Sequence, residues 1–89
     1  MIYTCDFLKA GELLRYEREY RRVSLRYLSE LCDVSPSAMS SIETGKCRPS
    51  VALAIKIVKA LKLSVTVRAK LQRIWEAPDK EAYLAWNKL

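Results

Sequence analysis

The chain contains no histidine, and its two glycines, Gly11 and Gly45, lie far apart. Histidine is the side chain most often used as a general base near neutral pH, and it is also the commonest metal ligand. A glycine-rich loop that could cradle a phosphate is absent, and so is a nucleophile motif. These absences argue against an enzyme, and we expect no catalytic residue, no cofactor and no metal site.

Cysteine is scarce as well, and Cys5, Cys32 and Cys47 are odd in number and widely separated. Neither a disulfide framework nor a zinc site fits this spacing, so we expect Cys32 to be a small buried apolar side chain. No apolar run is long enough to span a bilayer, and residues 1–10 lack the basic start and the long apolar stretch of a secretion signal. We therefore expect a cytoplasmic protein without a membrane partner.

What is present indicates one small globular domain of 89 residues, 51% hydrophobic, with a formal net charge of +6. A chain of this size has a modest core, so oligomerisation is a reasonable expectation. The positive charge favours a polyanionic partner, but it is concentrated in residues 50–76, where Glu76 is the only acidic residue. Residues 24–49 are balanced, with Arg26, Lys46 and Arg48 against Glu30, Asp33 and Glu43.

Residues suited to the N-cap of a helix precede each apolar stripe. Asp6 is placed to cap a helix that runs to about Arg22, Ser24 to cap a short second helix, and Ser50 to cap a fourth. Ser35 precedes Pro36, and proline is favoured at the first helical position because its missing amide costs nothing there. The pattern predicts a mainly helical domain.

The second and third predicted helices are short and closely spaced. Asp33 stands at the turn between them, and Gly45 is placed to end the third helix. Such a pair, at about residues 23–45, is typical of a helix-turn-helix, whose second helix lies in the major groove of DNA. A helical hairpin or interaction module that binds no nucleic acid has the same apolar spacing and is the alternative. The apolar positions are Leu28, Cys32, Val34, Met39 and Ile42.

After Ser64 the apolar residues alternate with polar ones, which is typical of a half-exposed strand. A lone strand needs a pairing partner, and the same strand of a second subunit would supply one across a two-fold axis. More helix is the alternative for this stretch. The residues predicted to form the dimer contact are Val65, Val67, Ala69 and Leu71.

The stretch from Val23 to Lys46 resembles the lambda-repressor-like, XRE-type helix-turn-helix family. The resemblance covers about residues 11–64 and implies an all-α DNA-binding domain of four to five helices, followed by the predicted strand. Leu25 departs from the family pattern, because a glutamine that contacts a phosphate usually stands there. Positions in register without a gap are Ser24, Leu28, Val34, Ser35, Ser40, Ile42, Glu43, Gly45 and Pro49, followed by Leu53, Ile57 and Leu61.

The resemblance also implies an ion pair and a DNA-binding surface. Arg18 and Glu43 match a pair that links the first and third helices in the family. On the third helix, the residues implied to face the bases are Pro36, Ser37, Ala38 and Ser41. The residues implied to lie near the backbone of double-stranded DNA are Ser24, Arg26, Ser35, Ser40, Thr44, Lys46 and Arg48.

The base-facing set contains no arginine, lysine, asparagine or glutamine. The bidentate contacts to bases that contribute about 1–3 kcal/mol each are therefore missing. Direct readout by one copy should be weak, and this favours a homodimer on a palindromic operator.

Residues 57–67 resemble the HipB-like branch, in which the fourth helix runs into a strand that pairs in the dimer. That branch implies an antitoxin that represses its own operon and binds a HipA-type kinase toxin. A free-standing repressor of phage or mobile-element type, without a toxin partner, is the alternative. Either function places the protein at the nucleoid of a prokaryote or of a phage-infected cell.

The predicted organisation has four parts. Residues 1–10 are an N-terminal extension and the start of the first helix, residues 11–64 the helix-turn-helix domain, residues 65–72 the dimerisation strand, and residues 73–89 a C-terminal tail. In the tail, Trp75, Tyr83 and Trp86 are candidate anchors for a partner protein. The alternative is that these aromatic side chains fold back on the domain's own core.

Overall fold

The computed structural model of the protein describes the backbone of residues 2–75 and the side chains of residues 7–75. Tyr83 and Trp86 lie outside this range. The described part is helical throughout, which confirms the predicted all-α class. Its helices are α1 (Ile2–Tyr20), α2 (Leu25–Leu31), α3 (Pro36–Glu43), α4 (Val51–Leu61) and α5 (Val65–Trp75).

Helix α1 begins earlier than the sequence suggested. It starts at Ile2, so Asp6 lies inside the helix, and its interpretation as the N-cap is wrong. The serine caps are confirmed. The hydroxyl oxygens of Ser24, Ser35 and Ser50 accept the backbone N–H of the residue three positions on, at 3.0, 3.1 and 3.2 Å.

Four helices end in the same way. The chain passes through a left-handed residue after α1, α2, α3 and α4, namely Arg22, Asp33, Gly45 and Lys62. At each end the next residue donates its N–H to a carbonyl five positions back, as in Val23 to Arg18 at 3.1 Å and Val34 to Ser29 at 3.0 Å. These bonds satisfy carbonyls that a helix end otherwise leaves unpaired. Tight turns of this kind bring each helix directly into the next.

Residues 65–72 form the first turns of α5, so the predicted dimerisation strand is wrong. Ser64 Oγ accepts the N–H of Val67 at 3.3 Å, as the other serine caps do. The burial pattern explains the helix, because Leu71 and Trp75 are buried one turn apart while Val65 is 71% exposed. The alternating positions therefore do not form one face of a strand, namely Val65, Val67, Ala69 and Leu71. Leu71 belongs to the core of its own chain.

The core lies where α1 packs against α3 and α5, while α2 packs against α3 and α4. Leu14, Leu28, Met39, Ile57 and Leu71 are completely buried within it. Cys32 is buried there as well, as predicted. Among the described helices, none combines the length and the apolar character that a bilayer crossing requires. The five helices thus surround one core, and α2 and α3 form part of its surface.

Candidate nucleic-acid interface

Helices α2 and α3 are joined by a turn of four residues, from Cys32 to Ser35. Asp33 takes the left-handed conformation at φ 58°. Aspartate tolerates this region better than most residues, so the chain turns here without glycine. Leu28 and Met39 are fully buried on either side of the turn. The two short helices therefore form the helix-turn-helix predicted from the sequence.

A buried ion pair fastens α3 to α1. Arg18 Nε lies 2.7 Å from Glu43 Oε2, and Arg18 Nη2 lies 3.1 Å from Glu43 Oε1. Both residues are only 8% exposed. The hydrogen bonds that Arg18 donates to Glu43 raise the pKa of Arg18 above its usual value, although desolvation acts in the opposite direction. This is the pair that the family resemblance implied, and it explains an arginine on the buried side of α1.

The same guanidinium also holds the chain between α1 and α2. Arg18 Nη1 donates to the carbonyl of Val23 at 2.8 Å, immediately before the cap residue of α2. One side chain thus links the start of α2 and the end of α3 to a single point on α1. The two helices of the motif are oriented by polar contacts as well as by the apolar core.

A second contact between α1 and α3 depends on a glycine. A Cβ atom on Gly11 would lie 2.6 Å from the carbonyl oxygen of Ile42 and 2.7 Å from the carbonyl carbon of Glu43. Only a residue without a side chain lets the two backbones approach so closely. Sequence reasoning did not assign this role to Gly11, although an unexplained glycine inside a helix was a signal for it.

Seven of the eleven implied DNA-contacting residues are exposed on the surface of this unit, and four are half-buried. The side chains of Ser40, Ser41 and Ala38 are half-buried, and Arg48 has a partner within the chain. No hydrogen bond joins the hydroxyl of Ser37 or Ser41 to another residue in the range 7–75, so both are available to a ligand. The exposed members are Ser24, Arg26, Ser35, Pro36, Ser37, Thr44 and Lys46.

Several hydroxyls on this surface already have one partner. Ser24 and Ser35 accept backbone amides, and Thr44 Oγ1 donates to the carbonyl of Ser40 at 3.0 Å. A serine hydroxyl has one hydrogen to donate and two acceptor sites, so an N-cap serine can still donate to a phosphate. Thr44, by contrast, has its hydrogen engaged.

The tertiary structure changes the charge of the motif's surface. In sequence, the basic and acidic residues of positions 24–49 balance. Glu43, however, is buried against Arg18 of α1, so its negative charge is compensated from outside the segment. The remaining acidic residues are Glu30 and Asp33, which Arg26, Lys46 and Arg48 outnumber. The surface of the motif therefore carries a small net positive charge, which favours binding to the phosphate backbone of DNA.

Arg48 and Trp75 depart from the predicted roles. Arg48 is half-buried, and its Nη1 donates to the backbone carbonyl of Trp75 at the end of α5. Trp75 is 2% exposed and belongs to the core, so its assignment as an anchor for a partner protein is wrong, and the alternative of folding back on the core is confirmed for it. Arg48 and Trp75 lie 27 residues apart, and no local pattern in the sequence connects them.

No group of three or more histidine, cysteine, aspartate or glutamate side chains comes together within residues 7–75 in a way that could hold a metal ion.

Cys32 and Cys47 are free thiols, the first buried and the second exposed in the loop between α3 and α4. Burial raises the pKa of the Cys32 thiol, and nearby Lys56 offsets this only in part.

A short α2 and α3 joined by a tight turn, packed on α1 and held by a buried ion pair, define a helix-turn-helix protein. The model of the helix-turn-helix domain family matches residues 9–71. This chain therefore belongs to the helix-turn-helix domain family.

Two similar proteins are uncharacterized HTH-type transcriptional regulators of Mycobacterium tuberculosis, from strains CDC 1551 / Oshkosh and ATCC 25618 / H37Rv. Each is 39% identical to the chain over 57 residues. The alignment covers 64% of the chain but only 41% of the length of each relative. No solved structure matches the chain.

Proposed function

We propose that the protein binds double-stranded DNA through α3 and regulates transcription, acting as a repressor. The observation that carries this proposal is the placement of α3. Its inner side is fixed to α1 by Gly11 and by the pair between Arg18 and Glu43, while Ser37 and its neighbours face outward. A rigidly held helix with a free polar side is what insertion into the major groove requires. The HTH-type regulators similar to the chain support the same function.

In this proposal, α3 enters the major groove and directs Pro36, Ser37, Ala38 and Ser41 at the bases. Hydroxyls can bond to either kind of base edge, and the apolar side chains fit against thymine methyl groups. The shape of the DNA supplies further discrimination. The phosphate backbone is contacted by Ser24, Arg26, Ser35, Ser40 and Lys46, whereas Thr44 has its hydroxyl hydrogen engaged with the carbonyl of Ser40 and does not donate to a phosphate.

Replacing Lys46 by alanine should weaken binding to all duplexes alike. Phosphate contacts release counterions, so the slope of log affinity against log salt should fall by about one. The measurement is a fluorescence-anisotropy titration of a labelled duplex at several salt concentrations. Lys70→Ala removes an exposed lysine of α5, outside the motif, and serves as the matched control. A wild-type affinity that does not change with salt would sink the DNA-binding proposal.

Replacing Ser37 and Ser41 together by alanine should change which sequences are preferred, with a smaller effect on non-specific affinity. Ser37 is exposed and Ser41 is half-buried one helical turn further along α3. In the proposal, their loss removes hydrogen bonds to base edges but no charge. The measurement is selection from a random-sequence duplex library with the wild-type and the double variant. Identical selected sequences would show that α3 does not present these residues to the bases.

The loop that carries Lys46 provides an independent test through Cys47. In a Cys5→Ser background, a thiol reagent should modify Cys47 at once but leave Cys32 unmodified, since Cys32 is 0% exposed and its raised pKa keeps it as the thiol. Saturating duplex DNA should slow the modification of Cys47. Cys47→Ser in the same background should react only after denaturant is added. A rate at Cys47 that is unaffected by bound DNA would place the loop away from the interface.

The protein acts as a homodimer on a palindromic operator in this proposal. The support is the composition of α3, which lacks the side chains that make bidentate contacts to bases, so one copy gains little specificity. Because residues 65–72 are helical, the dimer contact cannot be the strand pairing predicted from the sequence. Sedimentation of the protein with and without a selected duplex measures the stoichiometry, and one copy per operator would refute the dimer.

Between the two repressor functions, a free-standing repressor is better supported than an antitoxin that binds a HipA-type kinase toxin. The antitoxin interpretation depended on a fourth helix that runs into a strand, and those residues instead form α5. It now rests on the similarity of residues 57–67 alone. Co-purification with a kinase encoded by the neighbouring gene would restore the antitoxin function.

A further inference from the structure

The loop between α3 and α4 is anchored at three points. Gly45 is buried with φ 80°, and a Cβ there would lie 2.6 Å from Leu8 Cα of α1. Arg48 donates to the carbonyl of Trp75 in α5, and Pro49 is buried beside it. Between these anchors Lys46 and Cys47 are exposed. The loop is therefore held by α1 and α5 while it presents its middle to solvent.

The carbonyl of Trp75 is a suitable fixed point for this loop. A backbone carbonyl oxygen carries partial negative charge, so a hydrogen bond from a charged guanidinium is favourable there. This carbonyl has little freedom to move because the Trp75 side chain is 2% exposed and α5 packs on α1. A side chain bonded to it is fixed relative to the whole core.

We propose that Arg48 is a positioning residue, which ties the α3–α4 loop to the end of α5 and thereby holds Lys46 in place for a phosphate, without contacting DNA itself. This inference rests on the proposed DNA-binding function. It assigns to Arg48 a role different from the one implied by the family resemblance, because the residue is half-buried and its Nη1 already donates to the carbonyl of Trp75. It also makes the geometry of the interface depend on the end of α5.

The two roles of Arg48 differ in their salt dependence. Arg48→Gln should lower the affinity for a selected duplex on the order of tenfold, because a loosened loop must be ordered when DNA binds. The salt slope should stay unchanged, because Lys46 still contacts the phosphate in the complex. If Arg48 contacted a phosphate, the slope should instead fall by about one, as for Lys46→Ala. Arg48→Lys keeps the charge and serves as a second variant in case the glutamine variant does not fold.

The fluorescence of Trp75 supplies a readout that does not require DNA. In a Trp86→Phe background, Trp75 is the only tryptophan. Arg48→Gln should increase the quenching of Trp75 by acrylamide because the end of α5 loosens, whereas Lys46→Ala should leave the quenching unchanged. Val58→Ala, a buried substitution in α4, controls for a general loss of stability and should leave the affinity of the folded protein unchanged.

The outcomes separate the two proposals. Lower affinity, an unchanged salt slope and increased quenching support the positioning role. A reduced slope with unchanged quenching overturns it and makes Arg48 a phosphate contact. If the wild-type protein binds no duplex, the proposed function fails. In that case the quenching alone decides whether Arg48 ties the loop to α5.

Discussion

Replacing Glu43 by alanine should lower the free energy of unfolding by about 3–5 kcal/mol. The guanidinium of Arg18 would keep its charge while losing two hydrogen bonds in a site where it is 8% exposed. A loss of this size is a large fraction of the roughly 5–15 kcal/mol that stabilises an ordinary domain. Urea unfolding followed by circular dichroism measures it. The DNA-binding unit should be affected first, because the pair joins α3 to α1.

Two controls distinguish this buried pair from an ordinary ion pair. Arg15 and Glu19, by contrast, lie one helical turn apart on α1 and form a pair at 3.4 Å, and their side chains are 63% and 55% exposed. Glu19→Ala should therefore cost less than about 1 kcal/mol. The double variant Arg18→Met/Glu43→Leu should recover much of the stability lost in Glu43→Ala, because no unpaired charge remains in the core. Equal losses for Glu43→Ala and Glu19→Ala would contradict the role given to the buried pair.

Replacing Gly11 by alanine should destabilise the protein by about 3 kcal/mol or more, as expected for overpacking against backbone atoms. The same change inside a solvent-exposed helix would stabilise it by about 0.5–1 kcal/mol, because alanine has the higher helix propensity. The sign is reversed here because the added methyl group would lie 2.6 Å from the carbonyl oxygen of Ile42. Backbone cannot move aside as a flexible side chain can, so α1 and α3 would have to separate.

The neighbouring exposed residue Glu12 provides the control for this substitution. Glu12→Ala should leave the stability almost unchanged, since it alters α1 without touching α3. Chemical denaturation of both variants, with DNA affinity measured in parallel, tests the expectation. An increase in stability for Gly11→Ala would mean that the close approach of α1 and α3 is not required.

Local signals predicted the starts of helices where a serine side chain accepts the backbone N–H of a residue three positions further on. Ser24, Ser35 and Ser50 were expected to cap helices, and their hydroxyls do so. Ser64 caps α5 in the same manner, but the alternation of valine and polar residues after it favoured a strand. Apolar residues four positions apart fit both the alternation of a strand and the period of a helix. The burial of Leu71 and Trp75 on one side of α5 distinguishes the two.

The sequence by itself determined the helix-turn-helix and the class of the fold, because caps, turns and apolar spacing act over a few residues. The family resemblance added the pair of Arg18 and Glu43, whose members are 25 residues apart. Only the tertiary structure revealed the backbone contact at Gly11, the burial of Trp75 and the bond from Arg48 to its carbonyl. These depend on how α1, α3 and α5 meet, and contacts between distant segments leave no periodic signal in the chain. The helix-turn-helix is thus encoded locally, whereas the way it is held is decided by packing.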